Sequence, residues 1–187
     1  EFHGSTASVH ENAEVAGAIM HDLGGSDFQW AVKPEERPAL WKARHNAYYA
    51  GLALRLGCRG ISTDVCVPIS RLAECITETK RDIDESFILA PMVGHVGDGN
   101  FHLLMLVDPN KPEEYAEAKR LNERLVQRAL AMNGTSSGEH GIGLGKKKFM
   151  ETEHGATALA VMRAIKHALD PQNILNPGKL LPEEYEA

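Results

Sequence analysis

The stretch His95-Val96-Gly97-Asp98-Gly99-Asn100-Phe101-His102 joins two imidazoles through a segment with a tight-turn signature. Asp-Gly between apolar runs favours a two-residue hairpin loop, because a type I′ turn needs positive φ at both central residues. With Asp98 and Gly99 in those places, Gly97 pairs with Asn100, Val96 with Phe101 and His95 with His102. The two rings then share one face of the sheet with Cβ atoms about 5 Å apart. From there both can reach one metal ion at roughly 2.0–2.2 Å per bond. A longer, bulged loop breaks the strict pairing but leaves both rings at the hairpin mouth. Histidine pairs on hairpins also occur as surface pairs or as satisfied polar residues, so this segment alone leaves the choice open.

A second polar cluster, Gly138-Glu139-His140-Gly141-Ile142-Gly143, lies in a Gly-rich stretch, where backbone can approach a ligand closely. Glu139 offers a carboxylate ligand and His140 a base that titrates near neutral pH. Two imidazoles plus one carboxylate leave a coordination position open for substrate or water, as catalytic rather than structural sites do. Adjacent side chains on an extended loop diverge, so one of the pair can ligate while the other addresses substrate. Whether this loop meets the hairpin is a tertiary question.

Other residues carry two readings each. Arg44, in Trp41-Lys42-Ala43-Arg44-His45-Asn46, is either part of a solvated helix face or a carboxylate clamp, which guanidinium geometry suits better than Lys. Lys146-Lys147-Lys148 reads more simply as an exposed charged turn than as an anion site. Asp64 reads as a strand-end turn residue, with a functional acid as the alternative. His3, His10, His21, His154 and His167 read as ordinary surface or core residues.

The elements that must position these groups follow from periodicity and punctuation. Helices are predicted from Ser5 to about Leu23, from Pro34 to about Leu56, from about Ser70 to Asp84, from Pro112 to Met132 and over 157–169. Strands are predicted over 27–32, 63–67, 87–94 and 101–107. Asn133 to Gly145 reads as a loop, and Asn176-Pro177-Gly178-Lys179 opens a tail over 171–187. The central pair of strands reads as a hairpin, so the fold class is α+β, an antiparallel sheet with flanking helices.

The chain has 187 residues, 43% hydrophobic and 25% charged. That suits one globular domain that buries roughly 70% of its unfolded surface without needing a metal or disulfide to fold. A net charge of −6 argues against nucleic acid and anionic membranes as main partners. Neither a bilayer-spanning apolar run nor a signal peptide is visible, so the chain is expected to be soluble and not secreted. The three cysteines, Cys58, Cys66 and Cys75, lack CxxC spacing and read as inert thiols in a reducing compartment. Without an initiator Met, the chain reads as an excised or processed piece of a longer protein. Neither GxGxxG after a strand nor GxxxxGK[ST] occurs, so the usual nucleotide-cradling loops are missing.

Gly94 to His102 (GHVGDGNFH), Gly138 to Lys146 (GEHGIGLGK) and Asn176 to Lys179 (NPGK) together resemble the C-terminal domain of FAD-linked oxidases of the D-2-hydroxy-acid dehydrogenase group. Adding Trp41-Lys42-Ala43-Arg44 and the segment Ser62 to Ser70 makes the resemblance strongest to the FAD-dependent, cytochrome-type D-lactate dehydrogenase branch. It implies a ferredoxin-like C-terminal cap over 1–187 carrying metal and substrate, with FAD bound mainly by an N-terminal domain absent from this chain. His95, His102 and Glu139 match the family's divalent-metal ligands (Zn or Mn), His140 its base and Arg44 a substrate-carboxylate contact. Asn176 and Lys179 fall in the tail that returns towards the flavin domain, where they are expected to make structural or cofactor-edge contacts. In the 2-hydroxyglutarate members an Asn follows the second His by two positions. Here that position is Leu104, which points to a short or apolar 2-hydroxy acid such as lactate. The implied reaction is oxidation of a 2-hydroxy acid to a 2-keto acid with hydride transfer to FAD.

The expected partners are that substrate and the FAD-binding domain; the motifs name no electron acceptor. The isolated cap is expected to be nearly inactive, and apolar surface left by the flavin domain is expected to drive self-association. Mitochondrial and bacterial cytoplasmic homes are both compatible with the motifs. Two other functions fit parts of the pattern. A self-contained metallohydrolase would use the open metal position to activate water, and a non-catalytic metal-binding or assembly module would need only the ligands.

Overall fold

The structure is a computed structural model that describes residues 2–26 and 28–182. It comprises two compact units, one ending at Ala50 and one beginning at Gly51.

In the first unit, α1 (Thr6–Asp22) starts where Ser5 accepts the Ser8 N–H at 3.2 Å, satisfying a donor the helix cannot pair internally. Gly24, at φ 84°, lets the chain leave it. α2 (Arg37–Ala53) begins after a turn over Pro34-Glu35-Glu36 and runs across the unit boundary. The strand predicted over 27–32 is not formed: Asp27 lies outside the described residues, and 28–32 has no strand partner. Its alternating aromatics are laid on α1 instead. A Cβ built on Gly17 would lie 3.1 Å from the Phe28 ring, and Trp30 meets His10 edge-on at 4.8 Å between centroids.

The second unit holds the sheet. Its elements run β1 (Arg59–Ser62), β2 (Val65–Cys66), α3 (Ile69–Asp84), β3 (Met92–His95), β4 (Asn100–Val107), α4 (Pro112–Ala131) and α5 (Met150–Leu169). β4 is central and antiparallel to its neighbours. β3 lies along one edge, extended by a bridge between Leu89 and Leu106. β1 and β2 lie along the other edge in one common register, interrupted only at Thr63-Asp64. Thr135 bridges to Cys66 beyond them, so the order is that of a split βαβ fold, βαββαβ, whose last strand has shrunk to a single bridge. The expected α+β class with an antiparallel sheet and flanking helices is what the chain adopts.

Alternation along β4 sorts its side chains. Phe101, Leu103, Met105 and Val107 enter the core with Leu72 and Cys75 of α3 and Leu121, Leu125, Val126 and Ala129 of α4. On α3 and α4 these apolar positions recur at helical spacing, and the two charged residues buried there, Asp82 and Glu114, are paired with Arg128 and Arg55. Asn100, His102, Leu104 and Leu106 take the other face, yet they too are buried. Leu104 packs so closely on the end of α2 that a Cβ on Gly51 would sit 2.6 Å from its Cδ2.

Three other expectations are corrected. The hairpin loop is not a two-residue type I′ turn. Val96–Asp98 forms a turn of 3₁₀ helix, and Gly99, at φ 77°, ends it. A Cβ at Gly99 would lie 2.0 Å from the Val67 carbonyl oxygen, so only glycine fits where this longer loop passes the neighbouring segment. His95 therefore pairs with Asn100 rather than His102. β1 is a strand over 59–62 that sequence reading missed. The helix predicted over 157–169 is the segment of α5 after Gly155, whose non-helical backbone (φ 77°, ψ 161°) breaks the helix, and the segment from Met150 that precedes it, anchored by the buried Met150 side chain, was missed. Among the described residues no helix is long and apolar enough to cross a membrane.

Candidate functional site

The register change spares the histidine pair. The true pairing differs from the type I′ pairing by two residues, and an even offset keeps every side chain on its face. His95, opposite Asn100, is thus a diagonal neighbour of His102 on one face. Their ring centroids are 6.2 Å apart at 89°.

His102 is held from behind. The same edge that carries β1 and β2 breaks at Thr63-Asp64, opposite His102, and the freed Thr63 carbonyl lies 2.8 Å from His102 Nδ1. A carbonyl only accepts, so Nδ1 carries the proton of that bond and Nε2, on the Glu139 side, is left with its lone pair available to a ligand. The Thr63 hydroxyl accepts the Leu103 N–H at 2.9 Å, which fixes the same junction.

Glu139 and His140 come to this face because their loop is tethered at several points. Thr135 pairs with Cys66, and the Ser136 N–H donates to Glu153 at 3.0 Å. The Asp64 carboxylate accepts from the Ser137 hydroxyl (3.0 Å), from the N–H groups of Glu139 (3.0 Å) and His140 (2.8 Å), and from Asn100 Nδ2 (2.9 Å). Lys146 Nζ donates to the Asp64 carbonyl at 2.8 Å and lies 3.3 Å from the carboxylate. Burial alone would raise the Asp64 pKa, but these donors and the Lys146 charge hold it well below the usual carboxylate range. Burial in turn lowers the Lys146 pKa, against the pull of Asp64. Asp64 is therefore a buried organiser rather than a turn residue.

The lysine run is likewise not simply an exposed turn. Lys146 is taken up by Asp64, Lys147 donates to the Gly178 carbonyl at 2.7 Å, and Lys148 pairs with Glu123.

The outcome is a convergent set. Glu139 Oε1 lies 3.1 Å from His102 Nε2 and 3.9 Å from His95 Nε2, and one ligand atom from each of His95, His102 and Glu139 lies within 4.8 Å of the others. Ligands about 2.1 Å from a tetrahedral ion stand about 3.4 Å apart, so the three fit a divalent metal with little movement. His102 is mostly buried whereas His95 and Glu139 are partly exposed, leaving one side open. Asp64, His102 and His140 form a second such group, but the Asp64 oxygens are already filled by donors. His140 stacks on His102 (5.1 Å, 9°) with Nε2 3.6 Å from Glu139 Oε1. It is therefore beside the ligand set, where a base would stand.

Among the remaining predicted residues, Arg44 belongs to the first unit, where its guanidinium lies over the Trp41 ring at 5.8 Å. Asn176 and Lys179 belong to the tail and hydrogen-bond each other at 3.3 Å. Next to them, the Leu180 N–H donates to the Gly143 carbonyl at 2.9 Å, so the tail docks on the loop that carries His140. The site-building residue that sequence reading missed is Thr63, whose one signal was the Thr-Asp pair interrupting an apolar strand, while Lys146, read as part of an exposed turn, is drawn in by Asp64.

A family model described as "FAD linked oxidases, C-terminal domain" matches residues 1–180. The chain is 55% identical over 181 residues to a probable mitochondrial D-lactate dehydrogenase of Danio rerio, covering 97% of this chain and 36% of that protein. It is 46% identical over 182 residues to the mitochondrial D-lactate dehydrogenase [cytochrome] of Arabidopsis thaliana, covering 97% and 32%. It is 32% identical over 182 residues to the glycolate oxidase subunit GlcD of Escherichia coli K12, covering 97% and 36%. The chain thus spans about a third of the length of these relatives. With the match running through both histidine motifs and into the tail, the chain belongs to the FAD-linked oxidase C-terminal domain family.

Proposed function

We propose that residues 1–187, with 171–187 as a tail, act as the substrate- and metal-binding cap of an FAD-dependent D-2-hydroxy-acid dehydrogenase that oxidises a short, lactate-like acid to the 2-keto acid. The observation that carries this reading is the convergence of His95, His102 and Glu139 on one point with His140 beside it. The names of the relatives, D-lactate dehydrogenase and glycolate oxidase subunit, agree with a small 2-hydroxy acid.

His95, His102 and Glu139 would hold the ion, Zn or Mn, both compatible with imidazole and carboxylate donors. A bound divalent ion would supply Lewis-acid polarisation of the substrate hydroxyl, and FAD held by the neighbouring domain would supply the acceptor for the C2 hydrogen and its electrons. The chain's own residues do the rest. His140 accepts the hydroxyl proton on Nε2, Arg44 clamps the carboxylate, and Leu104 denies a second carboxylate a donor. Asn176 and Lys179 carry the tail towards the flavin domain. Exposed apolar side chains such as Leu169, Ile174 and Leu175 support a contact with that domain and, without it, self-association. The eukaryotic relatives named above are mitochondrial proteins, which supports that compartment for this one.

Elemental analysis of the chain and its variants tests the metal, and turnover of D-lactate by the full-length flavoprotein tests the base. His95→Ala and His102→Ala should each lose about one equivalent of Zn or Mn. His140→Ala should keep the metal and lower kcat by about 10²–10⁴. A chain that takes up neither metal, or a His140→Ala enzyme with wild-type turnover, overturns the corresponding assignment.

A further inference from the structure

Asp64 is 1% exposed and ligates nothing in the set just proposed, yet more of the site hangs on it than on any of the ligands. Its carboxylate receives donors from three separate segments: Asn100 on β4, Ser137, Glu139 and His140 in the Gly-rich loop, and Lys146 beyond that loop. A carboxylate has about four lone-pair sites, so these donors fill it. Two consecutive N–H groups aimed at one anion force the backbone to curl around it, the arrangement of an anion nest. Here the anion is part of the fold, and the curl sends the side chains of Glu139 and His140 apart, Glu139 towards His95 and His102 and His140 onto the His102 ring. The preceding residue must be glycine for this approach, since a Cβ at Gly138 would lie 2.0 Å from Asn100 Nδ2 and 2.8 Å from Asp64 Oδ1.

The same dipeptide acts on the other side of the site. Thr63 holds Nδ1 of His102 through its carbonyl, while Asp64 holds the backbone that presents Glu139. One break in the edge strand therefore sets both partners of the 3.1 Å approach between His102 Nε2 and Glu139 Oε1.

We propose that Asp64 is the positioning residue of this site: not a ligand, but the buried anion that fixes the Glu139-His140 backbone against His102. Lys146 supplies the compensating charge, so the buried carboxylate does not repel Glu139. The consequence for metal affinity rests on the ligand reading above, whereas the consequence for the loop does not.

The test combines backbone amide hydrogen exchange on the metal-free chain with Zn²⁺ titration by calorimetry. Asp64→Asn keeps the size but puts an NH₂ where N–H donors converge. Exchange at Glu139 and His140 should quicken at least tenfold, with Leu103 and Met105 on β4 and Leu125 on α4 unchanged. Zn²⁺ affinity should fall tenfold or more, the usual cost of losing a group that orients a ligand. His95→Ala should show the opposite split, losing Zn²⁺ while Glu139 and His140 stay protected. Unchanged protection at those two amides in Asp64→Asn, or wild-type Zn²⁺ affinity in that variant, overturns the assignment. If the parent chain binds no Zn²⁺, the ligand reading fails and the exchange result still decides the role of Asp64. If Asp64→Asn loses protection throughout β4 and α4, the milder Ser137→Ala decides. Faster exchange confined to 139–140 supports the role, and no local change refutes it.

Discussion

The tightest constraint in the site is the missing side chain at Gly138, and a single methyl group there is predicted to disable the site more than the fold. In Gly138→Ala the new Cβ starts 2.0 Å from Asn100 Nδ2, so something has to give by about 1.4 Å to reach ordinary contact. Asn100 cannot easily give, because its amide is buried and donates to both Asp64 Oδ1 and the Val65 carbonyl at 2.9 Å. The loop moves instead and carries Glu139, the next residue, away from His102. Loss of the buried hydrogen bonds costs about 1–3 kcal/mol. At about 2–4 °C per kcal/mol for a chain of this size, Tm should fall by about 2–12 °C. Metal sites tolerate distance errors of only about 0.2 Å, so Zn²⁺ affinity should fall more than tenfold. Thermal melts and Zn²⁺ calorimetry read the two effects. Gly145→Ala is the control: its Cβ would meet nothing within 4 Å and its φ is ordinary, so both quantities should stay near wild type. Wild-type melting and zinc binding by Gly138→Ala, or an equal loss in Gly145→Ala, would refute the reasoning.

Two further outcomes concern groups away from the site. Glu114 receives both guanidinium nitrogens of Arg55 (2.6 and 2.9 Å) and the Asp108 N–H at 2.7 Å, and the Arg55 hydrogen bonds foremost hold its pKa down at about 2. A depressed carboxylate pKa adds stability that is present above the unfolded value of 4.5 and is lost as pH falls towards about 2. Urea midpoints measured down that range should fall less steeply in Arg55→Met than in wild type; parallel slopes would count against the pair. Cys75 is fully buried and burial raises its thiol pKa, so a thiol reagent should label it only after unfolding, and native-state labelling at Cys75 would contradict that packing.

Much of the site was legible because local chemistry carries it. Apolar spacing marks α3 and α4, Ser5 and Gly24-Gly25 bracket α1, and the two imidazoles flank a turn. Their shared face survived a wrong turn type, because side chains on a strand repeat every two residues and the pairing was displaced by an even number. The strand expected over 27–32 failed for a related reason: alternation reports that one side of an extended segment is covered, not whether a strand or a helix covers it.

The sequence by itself determined which groups could do chemistry and which segments had to be helix or strand, since propensity, capping and periodicity act between near neighbours. Only the tertiary structure decided that the loop carrying Glu139 and His140 closes over the hairpin, because the force that brings it there acts between residues 64 and 137–146. A charge at Asp64 looks like a turn residue until burial makes each of its lone pairs demand a donor. Those donors come from the loop, and in satisfying a buried anion the fold assembles the site.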